Sequence, residues 1–202
     1  MPEPDAAGRP ATTGGPPAPV TTPVEELKRL RRPFLVQVAA LRKQIGATRV
    51  EHREGLIPGL GAVSVVVPDD EPVVLDVTLA SYPGGITADG TVTASWRGEC
   101  RRCGGPVDGR VHARVKERFA PTGGTHRDEE AYPLTGDELD LEPLARDAVL
   151  LELPLAPLCA ADCAGLCPTC GANRNTETCD CTPAVDPRWA ALDALRDEDP
   201  SI

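Results

Sequence analysis

Residues 159–181 read CAADCAGLCPTCGANRNTETCDC and hold six of the chain's eight cysteines. The other two, Cys100 and Cys103, stand in GECRRCGG at 98–105. Thiols gathered in this way mean metal ligation or disulfides, and the redox compartment decides between them. The first 20 residues, MPEPDAAGRPATTGGPPAPV, carry neither the positive start nor the apolar run of a secretory signal. No window approaches the ~20 apolar residues that a membrane span requires. The expectation is a cytoplasmic protein without membrane contact. In that reducing compartment clustered cysteines point to metal thiolates before disulfides.

C-x2-C followed by Gly occurs twice, as Cys100-Arg101-Arg102-Cys103-Gly104 and Cys167-Pro168-Thr169-Cys170-Gly171. The two-residue gap forms a tight turn that aims both sulfurs at one ion. Gly permits the positive φ that such turns often require. Cys159/Cys163 and Cys179/Cys181 complete a set of eight thiols, enough for two closed tetrahedral zinc sites. One assignment places Cys167, Cys170, Cys179 and Cys181 on one ion, because they lie within 15 residues, and joins Cys100 and Cys103 to Cys159 and Cys163 on a second. Loop closure favours it. The alternative joins the two knuckles, as in a zinc ribbon, and leaves Cys159, Cys163, Cys179 and Cys181 as the other set. The spacing is compatible with one zinc or two. Closed four-thiolate sites are structural, whereas a catalytic zinc keeps a position open. His52, His112 and His126 have no ligand-like spacing to the thiols, and no nucleophile–base pair or phosphate loop stands out. The expectation is a non-enzymatic protein with no small-molecule substrate. A thiol-based redox or metal sensor is the alternative that the C-x2-C pairs keep open.

Working outward, 139–153 places Leu141, Leu144, Ala145, Ala148 and Leu151 at helical spacing, with Thr135, Asp137 or Asp140 as candidate caps and Pro154 as the stop. The segment 34–119 reads mainly as β. Residues 34–40 and 62–67 are apolar runs, and 73–79 and 92–96 alternate with period two. SYPGG at 81–85 and Asp89-Gly90 read as turns, and 42–54, mixed and basic, as a loop or a strand. Beyond the cysteines, Asp186 and Pro187 open a helix over 187–196 with Trp189, Leu192 and Leu195 along one side. Residues 1–22, rich in Pro, Ala, Gly and Thr, are expected to be disordered and 198–202 frayed. The fold class is α+β: an antiparallel sheet, then a helix, then a cysteine-rich zinc-binding C-terminal segment, in one domain over 23–197. Aromatic residues are only 3% of the chain, so Val, Leu and Ala must build its core.

The formal charge of −10 argues against a protein coated in basic charge. Local faces differ. In RVHARVKERF at 110–119, Val111, Ala113 and Val115 fall on one side of a strand, and Arg110, His112, Arg114, Lys116 and Arg118 on the other. A period-two slot filled only by Arg, Lys and His is either neutralised by acids on adjacent strands or open to an anionic partner such as RNA. Lys28, Arg29, Arg31 and Arg32, at the end of a short helical pattern over 24–32, form a second basic patch or a solvated helix end. Over 128–152 the balance reverses, with nine acids against one Arg. The acidic loop at 128–140 and the negative C-terminus suit an adaptor that grips a basic protein.

The run LLELPLAPLCAADCAGLCPTCGANRN, followed by C-x-C and DPRWAAL, resembles the YceD-like family of large ribosomal RNA subunit accumulation proteins, a bacterial family. GECRRCGGPV and LDLEPLARDAVLLELP are similar to its other hallmarks, and FLVQVAALRKQIG matches more loosely. The resemblance covers about 24–196 and makes 23–197 a YceD-like domain. It implies a non-enzymatic cytoplasmic factor that supports 23S rRNA accumulation and large-subunit biogenesis, with ribosomal RNA or a subunit precursor as partner, or, for the adaptor alternative, a basic ribosomal protein. No catalytic residues are implied. Family members vary in how many cysteines they keep, which gives zinc the role of a staple for a small, ring-poor core.

Overall fold

The computed structural model describes residues 32–122, 131–182 and Arg188. The expected tail at 1–22, the basic helix over 24–31, the acids at 128–130, the helix over 187–196 and the end at 198–202 lie outside the described residues, Arg188 alone excepted. The unit that carries the fold begins at Phe34. Its elements are β1 (Leu35–Gln37), α1 (Ala39–Arg42), β2 (Thr48–Gly55), β3 (Gly61–Ala62), β4 (Val65–Val66), β5 (Val73–Tyr82), β6 (Gly85–Glu99), β7 (Pro106–Pro121), β8 (Tyr132–Leu134), β9 (Glu138–Asp140) and α2 (Glu142–Glu152).

Strands β2, β5, β6 and β7 lie side by side in that order, each antiparallel to the next. The far end of β6 takes β4 as a further partner, and β4 pairs β3. A short β8 joins β7 at Phe119–Pro121 in parallel, the one departure from the expected antiparallel sheet among the described residues. A separate ribbon pairs β1 with β9, Val36 opposite Leu139.

Alternation puts the aliphatic residues of β5, β6 and β7 on one face. Leu75, Leu79, Ile86, Val92, Val111 and Phe119 are among its buried members. Helix α2 packs on β6 and β7 from that side. The ribbon adds Phe34, Val36, Leu139 and Leu141 to the same core. Tyr132 stacks on Phe119 at 5.3 Å between ring centroids, and its hydroxyl donates to Asp147 Oδ2 at 2.8 Å, tying β8 to α2. The opposite face of the sheet is solvated, as antiparallel sheets permit.

Several expectations are corrected. The helix begins at Glu142 rather than Leu139, because Glu138–Asp140 is drawn into pairing with β1. Of the three candidate caps, Asp140 does the work: its Oδ1 accepts the Glu142 N–H at 3.1 Å. Pro143 sits in the first turn, where no intrahelical N–H is needed. The buried stripe of α2 runs over Leu144, Ala145 and Val149. Leu151, expected on it, is 86% exposed on its margin in the last turn. The 34–40 strand stops at Gln37, and one helical turn follows with Leu41 buried. The 62–67 run is split by a turn into β3 and β4. Asp89-Gly90 is not a turn but the middle of β6. A Cβ on Gly90 would fall 2.0 Å from the Asp76 carbonyl oxygen, so this glycine admits the close approach of β5.

Candidate metal centres and the basic sheet face

Strands β6 and β7 are joined by Cys100-Arg101-Arg102-Cys103-Gly104-Gly105, so the sheet itself delivers the first knuckle. Cys100 N–H donates to Gly105 O at 2.7 Å, and Gly104 N–H donates back to Cys100 O at 2.8 Å. The second knuckle repeats the pattern: Cys167 N–H to Ala172 O at 2.8 Å and Gly171 N–H to Cys167 O at 2.9 Å. Gly104 and Gly171 sit at φ +69° and +76°, the left-handed conformation that Gly adopts without steric cost.

The chain leaving α2 is laced to the first knuckle. Arg101 N–H donates to Pro157 O at 2.8 Å, and Leu166 N–H donates to Arg102 O at 3.1 Å. The Arg102 guanidinium donates to Cys163 O at 2.9 Å. These bonds bring Cys159 and Cys163 to Cys100 and Cys103. Cys167, Cys170, Cys179 and Cys181 form a second group, and within each group the four sulfurs lie within 4.8 Å of one another. This grouping is the one that loop closure favours, not the ribbon-like alternative.

Cys100 and Cys163 sulfurs are 3.8 Å apart, and those of Cys103 and Cys159 are 3.6 Å apart. A tetrahedron with metal–sulfur bonds of ~2.3 Å has sulfur–sulfur edges of about 3.8 Å, so both spacings fit a four-thiolate ion. All eight cysteines are free thiols.

Electrostatics divide the thiols into donors already disposed to ionise and donors held back. The backbone N–H groups of Cys159 and Cys103 hold the Cys100 thiol down at about 6. Those of Cys170 and Thr169 do the same for Cys167, also to about 6. Cys159 is pushed up to about 12 by its thiol neighbours Cys163 and Cys103, and Cys181 to about 12 by Cys170 and by burial. Burial acts to raise Cys163, but the Gly165 N–H and the Asn175 amide outweigh it and lower the thiol. A cation placed among such groups replaces protons and relieves the repulsion.

The basic stripe lies on the solvated face. Arg110, His112, Arg114, Lys116 and Arg118 are all exposed. Their partners across β6 are Ser95, Thr93, Thr91, Asp89 and Thr87, so Asp89 opposite Lys116 is the one acid in the adjoining row. One strand further, Asp76 faces His52 at 2.6 Å. Among the described residues no strand pairs the outer edge of β7 before Phe119. Arg32 is exposed, whereas Lys28, Arg29 and Arg31 lie outside the described residues.

Two features escaped the sequence reading. Arg49, Glu51 and Arg53 point into the core side of β2, with Glu51 bridging both guanidinium groups at 2.6 and 2.7 Å. Asn175 donates to Cys163 Sγ at 3.4 Å from within the loop between Cys170 and Cys179. Charged residues at alternate positions signal the first; only the position of an amide within a thiol-closed loop signals the second.

Fold and site together define an α+β protein whose solvated sheet is fastened at one end to a cysteine-rich C-terminal segment able to hold metal ions. The family model described as large ribosomal RNA subunit accumulation protein YceD matches residues 88–196. The chain belongs to the YceD family. An uncharacterized protein of Mycobacterium tuberculosis is 35% identical over 170 residues, covering 82% of each chain. A Mycobacterium leprae relative, also uncharacterized, is 32% identical over 172 residues, 82% of this chain and 78% of its own. A chloroplastic large ribosomal RNA subunit accumulation protein homolog of Zea mays is 43% identical over 53 residues, 26% of this chain and 18% of that protein. No solved structure matches the chain.

Proposed function

We propose that this protein is a non-enzymatic factor of large-subunit biogenesis that supports 23S rRNA accumulation by binding rRNA or a precursor particle in the cytoplasm. Zinc at Cys100, Cys103, Cys159 and Cys163, and at Cys167, Cys170, Cys179 and Cys181, is its structural staple. The family description supports the ribosomal role. The observation that carries the RNA reading is the stripe Arg110–His112–Arg114–Lys116–Arg118, exposed along β7 and faced across β6 by Ser95, Thr93, Thr91, Asp89 and Thr87, with Asp89 the one acid in that opposing row. Successive stripe residues stand about 6.7 Å apart along the strand, and a row of cations at that interval is suited to a phosphate backbone. Tyr82, at the turn end of β5, is the one Phe, Tyr or Trp among the outward positions of β2, β5, β6 and β7, too few for a stacking platform, so contact with phosphates rather than stacking on bases is the mode proposed.

The adaptor reading draws on the acids of 128–140. Of those described, Asp137 pairs with Arg42 at 3.0 Å, Glu138 accepts from Gln37, and Asp140 caps α2. Acids engaged within the fold are less able to grip a basic partner. A redox sensor needs thiols poised in reactive twos, whereas these thiols stand in fours at metal-ligand spacing; a metal sensor would be told apart by readily exchangeable metal.

The test is RNA affinity across a salt series for the zinc-loaded protein and for the variant Arg110→Ser/Arg114→Ser/Lys116→Ser/Arg118→Ser. The salt slope should fall by about four, one per lost phosphate contact, with affinity reduced for every RNA sequence tried. Unchanged binding would reject the stripe. A partner protein retained by pull-down after RNase treatment would favour the adaptor.

A further inference from the structure

We infer that the two thiolate centres are coupled through Asn175, so that filling the second centre completes the hydrogen-bond shell of the first. The inference rests on the zinc reading above. Cys163, of the first group, and Cys167, of the second, are separated by only Ala164, Gly165 and Leu166. The loop from Gly171 to Thr178 is closed at both ends by ligands of the second centre, Cys170 and Cys179. Yet this loop reaches back to the first. Arg174 N–H donates to Gly165 O at 2.9 Å, and Leu166 bridges to Asn173.

Asn175 is the contact that reaches a ligand sulfur. One amide N–H donates to Cys163 Sγ at 3.4 Å and the other to Asn173 Oδ1 at 2.8 Å. Its own Oδ1 accepts the Ala164 N–H at 2.8 Å. This network fixes the amide orientation: reversed, it would set an oxygen against the thiolate and two donors against each other. A donor to a thiolate spreads the ligand's charge and orients it, and such outer contacts are worth roughly 10–100-fold in metal affinity. Here the donor sits on a loop whose ends the second ion ties together. Emptying that centre frees the loop, and the first centre loses its donor.

The geometry makes Asn175 a positioning residue, and competition with a zinc chelator measures its effect. In wild type two ions should bind per chain. Asn175→Ala should still bind two, with the affinity of the Cys100/Cys103/Cys159/Cys163 centre lowered about tenfold and the other centre unchanged. Cys179→Ser/Cys181→Ser should bind one ion, at that same lowered affinity. Combining the two changes should add little, because both remove one contact. Asn175→Asp, which keeps the acceptor and turns an oxygen on the sulfur, should do more harm than Ala. Cadmium NMR supplies a spectroscopic check: Asn175→Ala should move the signals of the first centre alone. Wild-type affinity in Asn175→Ala, or losses that multiply in the combined variant, would overturn the coupling while leaving two zinc sites standing. A chain that binds no zinc would remove the centres and the coupling together.

Discussion

The knuckles place their demands on single glycines, and the demands differ in kind. Gly104 and Gly171 sit at positive φ with nothing within 4 Å of a built Cβ. Replacing either with Ala costs only the left-handed backbone, about 1–2 kcal/mol. Gly165, at φ +71°, adds a contact: its Cβ would stand 3.1 Å from the Arg102 carbonyl oxygen, which already accepts the Leu166 N–H. Gly104→Ala and Gly171→Ala should therefore each weaken zinc retention about tenfold at their own centre, and Gly165→Ala should weaken it further. Chelator competition on the three variants checks the order, and equal losses at all three positions would deny Gly165 its second role. The two knuckle glycines were legible in the sequence because C-x2-C-G carries its own geometry. Gly165 and Asn175 were not, since what they touch is brought to them by Arg102 and Cys163 from other parts of the chain.

At the scale of elements, β2 explains its own poor legibility. A half-buried strand is recognised by apolar and polar residues in alternation. In β2 the inward positions are Arg49, Glu51 and Arg53, so both faces read as polar and 42–54 looked like either a loop or a strand. The Glu51 and Arg53 side chains are only 13% exposed, and the Arg49 guanidinium also donates to Gln37 O at 2.8 Å. Inward charges on an edge strand discourage pairing with another sheet. Glu51→Gln removes the carboxylate shared by the 37% exposed Arg49 and the 13% exposed Arg53 and should destabilise the fold by about 1–2 kcal/mol, read from chemical denaturation. The triple change Arg49→Leu/Glu51→Val/Arg53→Leu should hold or raise the melting temperature, because a partly buried ionic triad competes poorly with aliphatic packing. It should also bring on self-association, visible by light scattering, as the edge loses its charges. Loss of stability in the triple variant would mean that the triad holds β2 to the ribbon rather than guarding an edge. Asp89-Gly90 misled for a related reason: the pair that signals a hairpin also serves where a neighbouring strand must come close.

Across the whole molecule, two kinds of cohesion are separated along the chain. Among the described residues the apolar core draws its members from Phe34 to Leu153, with no residue of the cysteine segment among them. Beyond Leu153 the buried residues among those described are few, and Cys163 and Cys167 are two of them. The order of sheet, helix and thiol segment could be read from composition and spacing. Which sheet face stays bare could not, because it depends on the register that sets Arg110 against Ser95 and Lys116 against Asp89. On the zinc reading proposed above, metal adds to this segment the cohesion that its few buried described residues do not supply. Removing zinc with a chelator under reducing conditions should then release only part of the structure. Hydrogen exchange should accelerate over 157–176 and at the 100–105 turn, where the Cys100 and Gly104 N–H groups pair within the knuckle and the Arg101 N–H pairs with Pro157 O. Amides of β5, β6 and β7 that pair over the core should keep their protection. The basic stripe, built on β7, should keep its geometry, and RNA affinity should fall far less on zinc removal than on substitution of the stripe. Simultaneous loss of protection in the sheet and the cysteine segment would instead make the metal a keystone of a single cooperative unit. No change anywhere would mean that the thiols hold no structural ion.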